Sequence, residues 1–350
     1  MKTDIKSLNL EELKAWVKEM GFPEFRAKQI YQWIHQKLVA NIDDMTNIPK
    51  NLKELLAEKT DWVSLEPVRV QVSAIDGTRK YLFKLGDNNL IESVLMEYKH
   101  GHSVCISSQV GCRMGCRFCA STLDGMVRNL TASEMLEQIY RIQRDSGYRV
   151  DNVVVMGSGE PFDNFDNLIK FVELLKDENG LNISGRNLTV STCGLVPKIY
   201  ELADMQPQLT LAISLHAPED ELRKTIMPIA NKYTINEIID ACKYYIEKTG
   251  RRVSFEYSLV AGVNDSSKQA EQLIRLVKGM NCHINLIPVN PIKERDYKQS
   301  KQNEIQSFKN KLEKCGLNVT IRREMGRDID GACGQLRKSY SYELVTQEDK

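Results

Sequence analysis

The sequence predicts an α/β fold, a partial (βα)6 barrel of parallel strands with a small N-terminal helical domain and a short antiparallel β extension. From residue 103 onward, short apolar runs alternate with amphipathic helical segments, which is typical of a parallel sheet. Residues 1–62 instead carry apolar side chains at helical spacing. Residues 68–96 alternate in polarity around two turn sequences, which indicates an antiparallel meander.

The N-terminal elements follow from local signals. Asn9 precedes Glu12 by three residues and resembles a capping box, and apolar side chains follow at helical spacing. A second helix is predicted over residues 25–38. We expect four parts along the chain: a helical domain (1–62), the β extension (63–97), the barrel (98–340) and a C-terminal tail (341–350).

The barrel region contains six predicted strands. They are expected near residues 103–108, 152–156, 188–192, 209–214, 253–258 and 283–287. Helices are predicted between them, for example over 131–144, 234–248 and 266–279, and a final helix (302–315) and strand (317–323) would widen the sheet. Unusual polar and glycine residues follow these strands. Because the carboxyl ends of parallel barrel strands form the active face, one shared site is predicted.

Composition excludes several classes of protein. A hydrophobic content of 42% and a charged content of 27% disfavour a disordered or fibrous chain. With 48 basic and 47 acidic residues, any contact with nucleic acid has to come from local patches. The sequence shows neither a signal peptide nor a run of the ~20 apolar residues that a membrane span needs, so a cytoplasmic protein without membrane contact is expected.

The nine cysteines are unlikely to form a disulfide framework, because cytosolic thiols are kept reduced. Three of them, Cys112, Cys116 and Cys119, have the spacing C-x3-C-x2-C on a predicted loop. A cubane iron–sulfur cluster held by three thiolates leaves one iron open to a small molecule, so this pattern indicates chemistry. A structural zinc site is the alternative, but it favours paired C-x2-C units. The cysteines at 193, 242, 282 and 315 match no role and are expected in the core.

Several motifs resemble one known family. C-x3-C-x2-C is the signature of the radical-SAM superfamily, and the Gly157–Pro161 sequence GSGEP resembles its SAM-binding turn. Further segments are similar to the RlmN family of dual-specificity RNA methyltransferases: Cys105–Cys112, Arg128–Thr131, Ser214–Ala217, Met227–Ile229 and Asp328–Leu336. The resemblance covers essentially the whole chain.

The resemblance implies two cofactors. Cys112, Cys116 and Cys119 would hold one [4Fe–4S] cluster, and its open iron would bind S-adenosyl-L-methionine (SAM), of which two molecules are consumed in each turnover. The residues at the family's SAM-contacting positions are Gly159, Glu160, Ser191, Ser214, Leu215, His216 and Asn290.

The resemblance also implies a mechanism. C2 of adenine is electron-poor, so ordinary polar methyl transfer fails and a radical route is needed. Cys333 would first become S-methylcysteine, and a 5′-deoxyadenosyl radical would then activate that methyl group for addition to C2. Cys105 would release the adduct by forming a transient disulfide with Cys333, which cytosolic reductants can reset. Glu92 matches the family's proton acceptor.

Partners follow from the same resemblance. The implied substrates are an adenosine in the peptidyl-transferase centre of 23S rRNA and an anticodon-loop adenosine of tRNA, with a flavodoxin or ferredoxin as electron donor. A monomer is expected. Basic residues near Cys333 would contact phosphates: Arg322, Arg323, Arg327, Arg337 and Lys338. The helical domain (1–62) would extend this RNA-binding surface through further basic residues: Arg26, Lys28, Lys37, Lys50 and Lys53.

Two alternatives stay open at this point. A Cfr-like enzyme would use the same machinery to methylate C8 of adenosine, although Pro161 is typical of the RlmN side. A non-catalytic RNA-binding protein would use zinc or an iron–sulfur cluster structurally, and Cys105 and Cys333 would then be dispensable.

Overall fold

The structure, a computed structural model, describes residues 2–290, 295–330 and 334–340. Its strands are Thr3–Asp4 (β1), Thr60–Asp61 (β2), Glu66–Val72 (β3), Arg79–Lys84 (β4), Leu90–Tyr98 (β5), Gly101–Ile106 (β6), Gln109–Gly111 (β7), Met126–Asn129 (β8), Asn152–Val155 (β9), Leu188–Thr192 (β10), Thr210–Ser214 (β11), Val253–Leu259 (β12), Cys282–Pro288 (β13) and Val319–Ile321 (β14). Its α-helices are Leu10–Glu19 (α1), Phe25–His35 (α2), Lys50–Lys59 (α3), Ala132–Ser146 (α4), Phe165–Lys176 (α5), Val196–Met205 (α6), Asp220–Ile226 (α7), Ile235–Thr249 (α8), Ser267–Val277 (α9) and Gln302–Lys314 (α10). Cys333 and the predicted tail lie outside the described residues.

One mixed sheet forms the centre of the described chain. Its order is β14-β13-β12-β11-β10-β9-β6-β5-β4-β3, with parallel pairing from β6 through β14 and antiparallel pairing from β3 to β6. The predicted α/β class and its parallel strands are confirmed, and β14 adds one more strand at the edge. The β extension is continuous with the barrel sheet, because β5 pairs directly with β6.

Every residue of β12 is buried. The strands β9, β10 and β13 alternate between buried and partly exposed residues. The helices that connect the parallel strands pack against them in one core. The covering helices carry strong end signals. Thr131 and Glu134 form a capping box at the start of α4, and Gly147 ends that helix with φ +73°. Thr234, Glu237 and Gly250 do the same for α8.

The N-terminal helices pack on the barrel through buried polar contacts. Lys6 Nζ lies 2.8 Å from the Glu137 carboxylate on α4, and both side chains are 1% exposed. His35 Nδ1 lies 2.6 Å from the Tyr140 hydroxyl, also on α4. Apolar residues of α1–α3 belong to the same core as those of the sheet. Burial lowers the pKa of His35 to about 3, so this imidazole is neutral at physiological pH.

Element ends differ from the prediction by a few residues. The predicted helix over 25–38 ends at His35, because Leu38 adopts φ +54°, which no helix continues through. The predicted strand over 317–323 is limited to β14. Within the described ranges, no helix is long and apolar enough to cross a bilayer.

Candidate active site

A cavity of about 590 Å³ opens at the carboxyl ends of the parallel strands. The sequence-predicted residues that line it are Cys105, Cys112, Cys116, Cys119, Gly159, Glu160, Ser191, Ser214, His216 and Asn290. Glu92 and Leu215 are buried and are not part of this lining, and Cys333 lies outside the described residues. The strand ends therefore bring together residues that are far apart in the sequence.

The three cysteines of the C-x3-C-x2-C motif lie on the loop between β7 and β8. Gly111, at the base of this loop, has φ +75°, and a Cβ there would come within 2.0 Å of the Gly125 carbonyl oxygen. The Cys112 N–H donates to the same oxygen (2.9 Å). The Thr122 hydroxyl donates to the carbonyls of Cys116 (3.1 Å) and Cys119 (3.0 Å). Only glycine fits at 111, and these hydrogen bonds hold the loop closed.

The buried environment of the loop favours the protonated thiol form of its cysteines over the thiolate form unless a cation is present. Burial raises the pKa of the Cys112 thiol to about 12 and raises that of Cys116 as well. A metal cluster would compensate the thiolates for their lost hydration. The Phe118 ring packs edge-on against His216 at 4.8 Å between centroids and covers the loop from the side of β11.

Glu160 follows β9 in the Gly-Glu turn. Its carboxylate accepts hydrogen bonds from the backbone N–H groups of Cys193 (2.8 Å) and Phe162 (3.0 Å). Burial raises the pKa of this carboxyl group. Gly159 has φ +111°, and a Cβ there would lie 2.7 Å from Gln109. The turn is thus fixed against the strand that precedes the cysteine loop.

The neighbouring strands supply hydroxyl and imidazole groups. Ser191 Oγ and Ser214 Oγ lie 3.3 Å apart at the ends of β10 and β11. His216 Nδ1 accepts a hydrogen bond from the Ser258 N–H (2.9 Å), and burial lowers the pKa of this imidazole to about 3. His216 is therefore neutral and carries its proton on Nε2. The Leu215 side chain is fully buried, and its N–H donates to the Glu256 carbonyl (3.1 Å).

The segments on both sides of Cys333 line the same cavity as the cysteine loop. They contribute Met325, Ile329 and Gln335. Met325 packs against the small cluster that contains Cys105. Gly334 approaches the residues after Cys119 so closely that an added Cβ would lie 2.9 Å from the Ala120 Cβ. The two chain positions beside Cys333 and Cys119 are thus in contact.

Glu92 lies behind the cavity wall on β5. Its carboxylate forms a buried ion pair with Lys80 (3.0 Å) and accepts hydrogen bonds from the N–H groups of Gly334 (2.6 Å) and Arg337 (2.7 Å). The Glu92 side chain is only 4% exposed, so it does not lie on an exposed strand edge.

Comparison with known proteins assigns the family. Residues 106–276 match the radical SAM superfamily, and residues 3–61 match the ribosomal RNA large subunit methyltransferase N-terminal domain. A probable dual-specificity RNA methyltransferase RlmN from Lachnospira eligens is 70% identical over 98% of both chains. The corresponding protein from Lachnoclostridium phytofermentans is 61% identical over 99% of this chain and 98% of its own. The chain belongs to the RlmN family.

A solved structure carries the same family fold. The crystal structure of a radical SAM methyltransferase from Sphaerobacter thermophilus superposes with a TM-score of 0.91 at 44% identity, covering 95% of this chain and 98% of that one. The partial barrel predicted from the sequence is thereby confirmed for this RlmN-family chain.

The residues present fit the cofactors of the radical SAM superfamily, which are a [4Fe–4S] cluster and SAM. Three thiols of one loop face a cavity of about 590 Å³, which has room for a cluster and a small molecule. Among the described residues, no three His, Cys, Asp or Glu side chains converge as ligands of one metal ion would. A cubane instead binds each of its three thiolates at a different iron.

Sequence reasoning missed three residues of this site. Cys193 belongs to a buried cluster, as expected, but it also lines the cavity, and burial beside Glu160 raises the pKa of its thiol. Glu256 lines the cavity from the middle of β12 and accepts hydrogen bonds from Ser254 Oγ (2.9 Å) and Asn285 Nδ2 (2.8 Å). The sequence does carry one indication for Glu256, because an acidic residue in the middle of a buried strand is unusual and points to a functional role.

Arg223 is the third of these residues. Its guanidinium is fully buried and donates to the carbonyls of Cys193 (2.7 Å), Leu215 (3.0 Å) and Ser214 (3.2 Å). It thus ties the turns after β10 and β11 together. No motif or residue spacing around Arg223 in the sequence predicts this role.

The predicted phosphate-contacting residues divide into two groups. Arg322, Arg323 and Arg327 line the cavity. Arg337 and Lys338 instead form ion pairs with Asp124 (3.0 and 2.9 Å), which lies on the cysteine loop after its three cysteines. The second group therefore joins the C-terminal segment to the cysteine loop.

Proposed function

We propose that this protein methylates C2 of adenosine in 23S rRNA and in the anticodon loop of tRNA, with Cys333 as the methyl carrier and Cys105 as its disulfide partner. One observation carries the proposal. The cavity that is lined by Cys112, Cys116 and Cys119 is also lined by Cys105 and by the residues that flank Cys333. The names of the RlmN-family relatives support RNA as the substrate.

The cofactors have a place in this cavity. Cys112, Cys116 and Cys119 would hold the cluster, and the SAM-contacting residues would be Gly159, Glu160, Ser191, Ser214, Leu215, His216 and Asn290, with Leu215 contributing through its backbone. When bound, the cluster and two SAM molecules per turnover supply a methyl group and the radical that activates it. A flavodoxin or ferredoxin would supply the electron, and the protein would act as a monomer.

The protein's own sulfur atoms perform the remaining steps. The Cys333 sulfur carries the methyl carbon and delivers it to C2, which leaves protein and RNA joined by a sulfur–carbon bond. The Cys105 thiolate then attacks the Cys333 sulfur. That attack forms a disulfide and breaks the sulfur–carbon bond. The electron pair of that bond stays with the released carbon, which takes up a proton to become the methyl group while C2 gives up its own proton to a base. A thiol reductant then reduces the disulfide for the next turnover.

Residues at the cavity mouth would orient the RNA. Arg322, Arg323 and Arg327 can contact phosphates, which positions a nucleotide without reading its base. For the proton that leaves C2, the family resemblance names Glu92. The contacts of that carboxylate support a positioning role instead.

Nucleoside analysis tests the proposal. A strain that lacks the gene is complemented with the wild type, Cys333→Ala or Cys315→Ala, where Cys315 is the exposed control. We expect 2-methyladenosine in rRNA and tRNA with the wild type and Cys315→Ala, and none with Cys333→Ala. A product of 8-methyladenosine would assign the Cfr-like activity, and unmodified RNA with the wild type would overturn the proposal.

A further inference from the structure

Lys80 on β4 and Glu92 on β5 form a buried ion pair. Lys80 Nζ lies 3.0 Å from Glu92 Oε2, and the side chains are 0% and 4% exposed. Removing two charges from water is costly, and apolar residues of similar size often serve stability equally well. A buried ion pair at this place in a sheet therefore indicates a role other than stabilising the fold.

The Glu92 carboxylate reaches across to the segment that follows Cys333. Glu92 Oε2 accepts a hydrogen bond from the Gly334 N–H (2.6 Å), and Oε1 accepts one from the Arg337 N–H (2.7 Å). Residues 335–340 are helical, and first-turn N–H groups have no acceptor within their own helix. Glu92 supplies that acceptor from a strand 242 residues away. Both carboxylate oxygens are thus engaged with the chain next to Cys333.

The chain before Cys333 is fixed by the β extension as well. The Asp330 N–H donates to Gln71 Oε1 (3.0 Å), and Gln71 Nε2 donates to Asp330 Oδ2 (3.1 Å). Asp328 accepts from the Ser73 hydroxyl (2.5 Å) and the Ala74 N–H (2.7 Å). Only residues 331–333 separate the anchor at Asp330 from the anchor at Gly334.

We propose that Lys80 and Glu92 are positioning residues that fix Gly334 and thereby hold the Cys333 sulfur at the cavity. This inference rests on the proposed role of Cys333 as methyl carrier. Lys80 holds the carboxylate in place, and the carboxylate holds two amides of the carrier segment. Glu92 is absent from the cavity lining, so its contacts with Lys80, Gly334 and Arg337 are better suited to positioning than to accepting a proton from RNA.

The two roles of Glu92 are separated by the step at which they act. A proton acceptor is needed only after the carbon has joined the RNA, whereas a positioning residue is needed when Cys333 first receives its methyl group. The decisive readout is therefore the methylated fraction of Cys333, measured by peptide mass spectrometry after incubation with SAM and reductant but before RNA is added.

Glu92→Gln is the test variant. Its amide NH2 replaces one oxygen and faces a backbone N–H, so one of the two hydrogen bonds to Gly334 and Arg337 is lost. Displacement of a reacting group by ~1 Å can cost roughly a hundredfold in rate, so we expect Cys333 methylation to slow by about tenfold to a hundredfold. Glu97→Gln, on an exposed position of the same strand, is the control and keeps the wild-type rate.

A second readout needs no cofactor. Hydrogen exchange of the peptide that contains residues 334–338 reports the two anchored amides directly, and we expect faster exchange in Glu92→Gln than in Glu97→Gln. If Glu92→Gln does not fold, Lys80→Met combined with Glu92→Leu removes both charges together, and it must show the same slow methylation and fast exchange.

The outcomes are distinct. Wild-type methylation of Cys333 in Glu92→Gln, followed by accumulation of a protein–RNA adduct, would overturn the positioning role in favour of proton acceptance. Absence of methyl on Cys333 in the wild-type protein would overturn the proposed function instead. In that case, hydrogen exchange of residues 334–338 would still show whether Glu92 fixes this segment.

Discussion

Gly334 packs directly against Ala120. A Cβ built on Gly334 would lie 2.9 Å from the Ala120 Cβ and 3.0 Å from the Ser121 nitrogen. Gly334 follows Cys333, and Ala120 follows Cys119. This contact therefore brings the chain around the proposed methyl carrier to the loop around the proposed cluster, although more than two hundred residues separate them.

Gly334→Ala is expected to disturb that approach. The new methyl group would meet Ala120, and the carrier segment would have to move away from the cysteine loop. Gly316→Ala is a matched control, because Gly316 has nearly the same φ (+79° against +81°) and a methyl group added there would have nothing within 4 Å. Both variants carry the roughly 1–2 kcal/mol cost of a left-handed alanine.

The measurement is the rate of Cys333 methylation before RNA is added. We expect a decrease of roughly tenfold or more for Gly334→Ala and no change for Gly316→Ala. Equal rates in the two variants would show that close contact between these segments is not needed for methyl loading.

The cysteine loop should hold the iron. Replacement of Cys112, Cys116 or Cys119 by alanine removes one of three thiolate ligands, and we expect loss of the iron–sulfur absorption and of most bound iron after anaerobic reconstitution. Cys193→Ala is the informative comparison, since this thiol lines the same cavity. Retention of a full cluster in Cys193→Ala is expected, and its loss there would assign Cys193 as a fourth ligand.

How far the sequence predicts this site depends on the kind of residue. Ser191, Ser214 and Asn290 were predictable because they lie at or just after strand ends, and the ends of parallel strands meet at one edge. The C-x3-C-x2-C spacing is a local pattern and can likewise be recognised in the sequence. The partners of Glu92 were not, because a hydrogen bond over 242 residues leaves no pattern in either segment.

The fold likewise has features that the sequence predicts and features that it does not. Alternation of apolar runs and helices predicts the parallel strands, but a meander does not reveal which sheet it joins. The pairing of Val94 with Cys105 makes the β extension part of the barrel sheet, and only this pairing places Glu92 behind the cavity. Helix ends were misjudged where tertiary contacts decide them, as at Leu38, whose carbonyl accepts from Arg144 (3.0 Å).

His35 should make the protein sensitive to acid. Burial lowers the pKa of His35 in the folded state to about 3, against an ordinary value near 6.5. Below pH 6.5 the unfolded chain therefore binds a proton that the folded protein excludes. The free energy of unfolding should fall by about 1.4 kcal/mol per pH unit as the pH decreases from 6.5 towards 3.

Urea unfolding at pH 7, 6 and 5 measures this slope. His35→Gln should reduce the slope by about 1.4 kcal/mol per pH unit, which corresponds to one proton. His100→Gln, at an exposed position, should leave the slope unchanged. An identical slope in His35→Gln and the wild type would contradict the neutral buried state of His35.

The buried pair of Lys6 and Glu137 should stabilise the attachment of the N-terminal helices. Both side chains are 1% exposed, and Lys6 Nζ also donates to the Val63 carbonyl (2.6 Å). Lys6→Met leaves Glu137 with Arg144 as its remaining ion-pair partner, and we expect a loss of about 1–3 kcal/mol in the free energy of unfolding. Lys14→Met, at the exposed pair with Glu11, should cost less than about 1 kcal/mol.

Carbon is proposed to reach RNA by way of the Cys333 sulfur. The direct measurement is a single turnover in which Cys333 is first loaded with a deuterated methyl group and then given unlabelled SAM, reductant and RNA. We expect 2-methyladenosine that carries deuterium from the protein. Product that contains only the unlabelled methyl group of the added SAM would contradict this route.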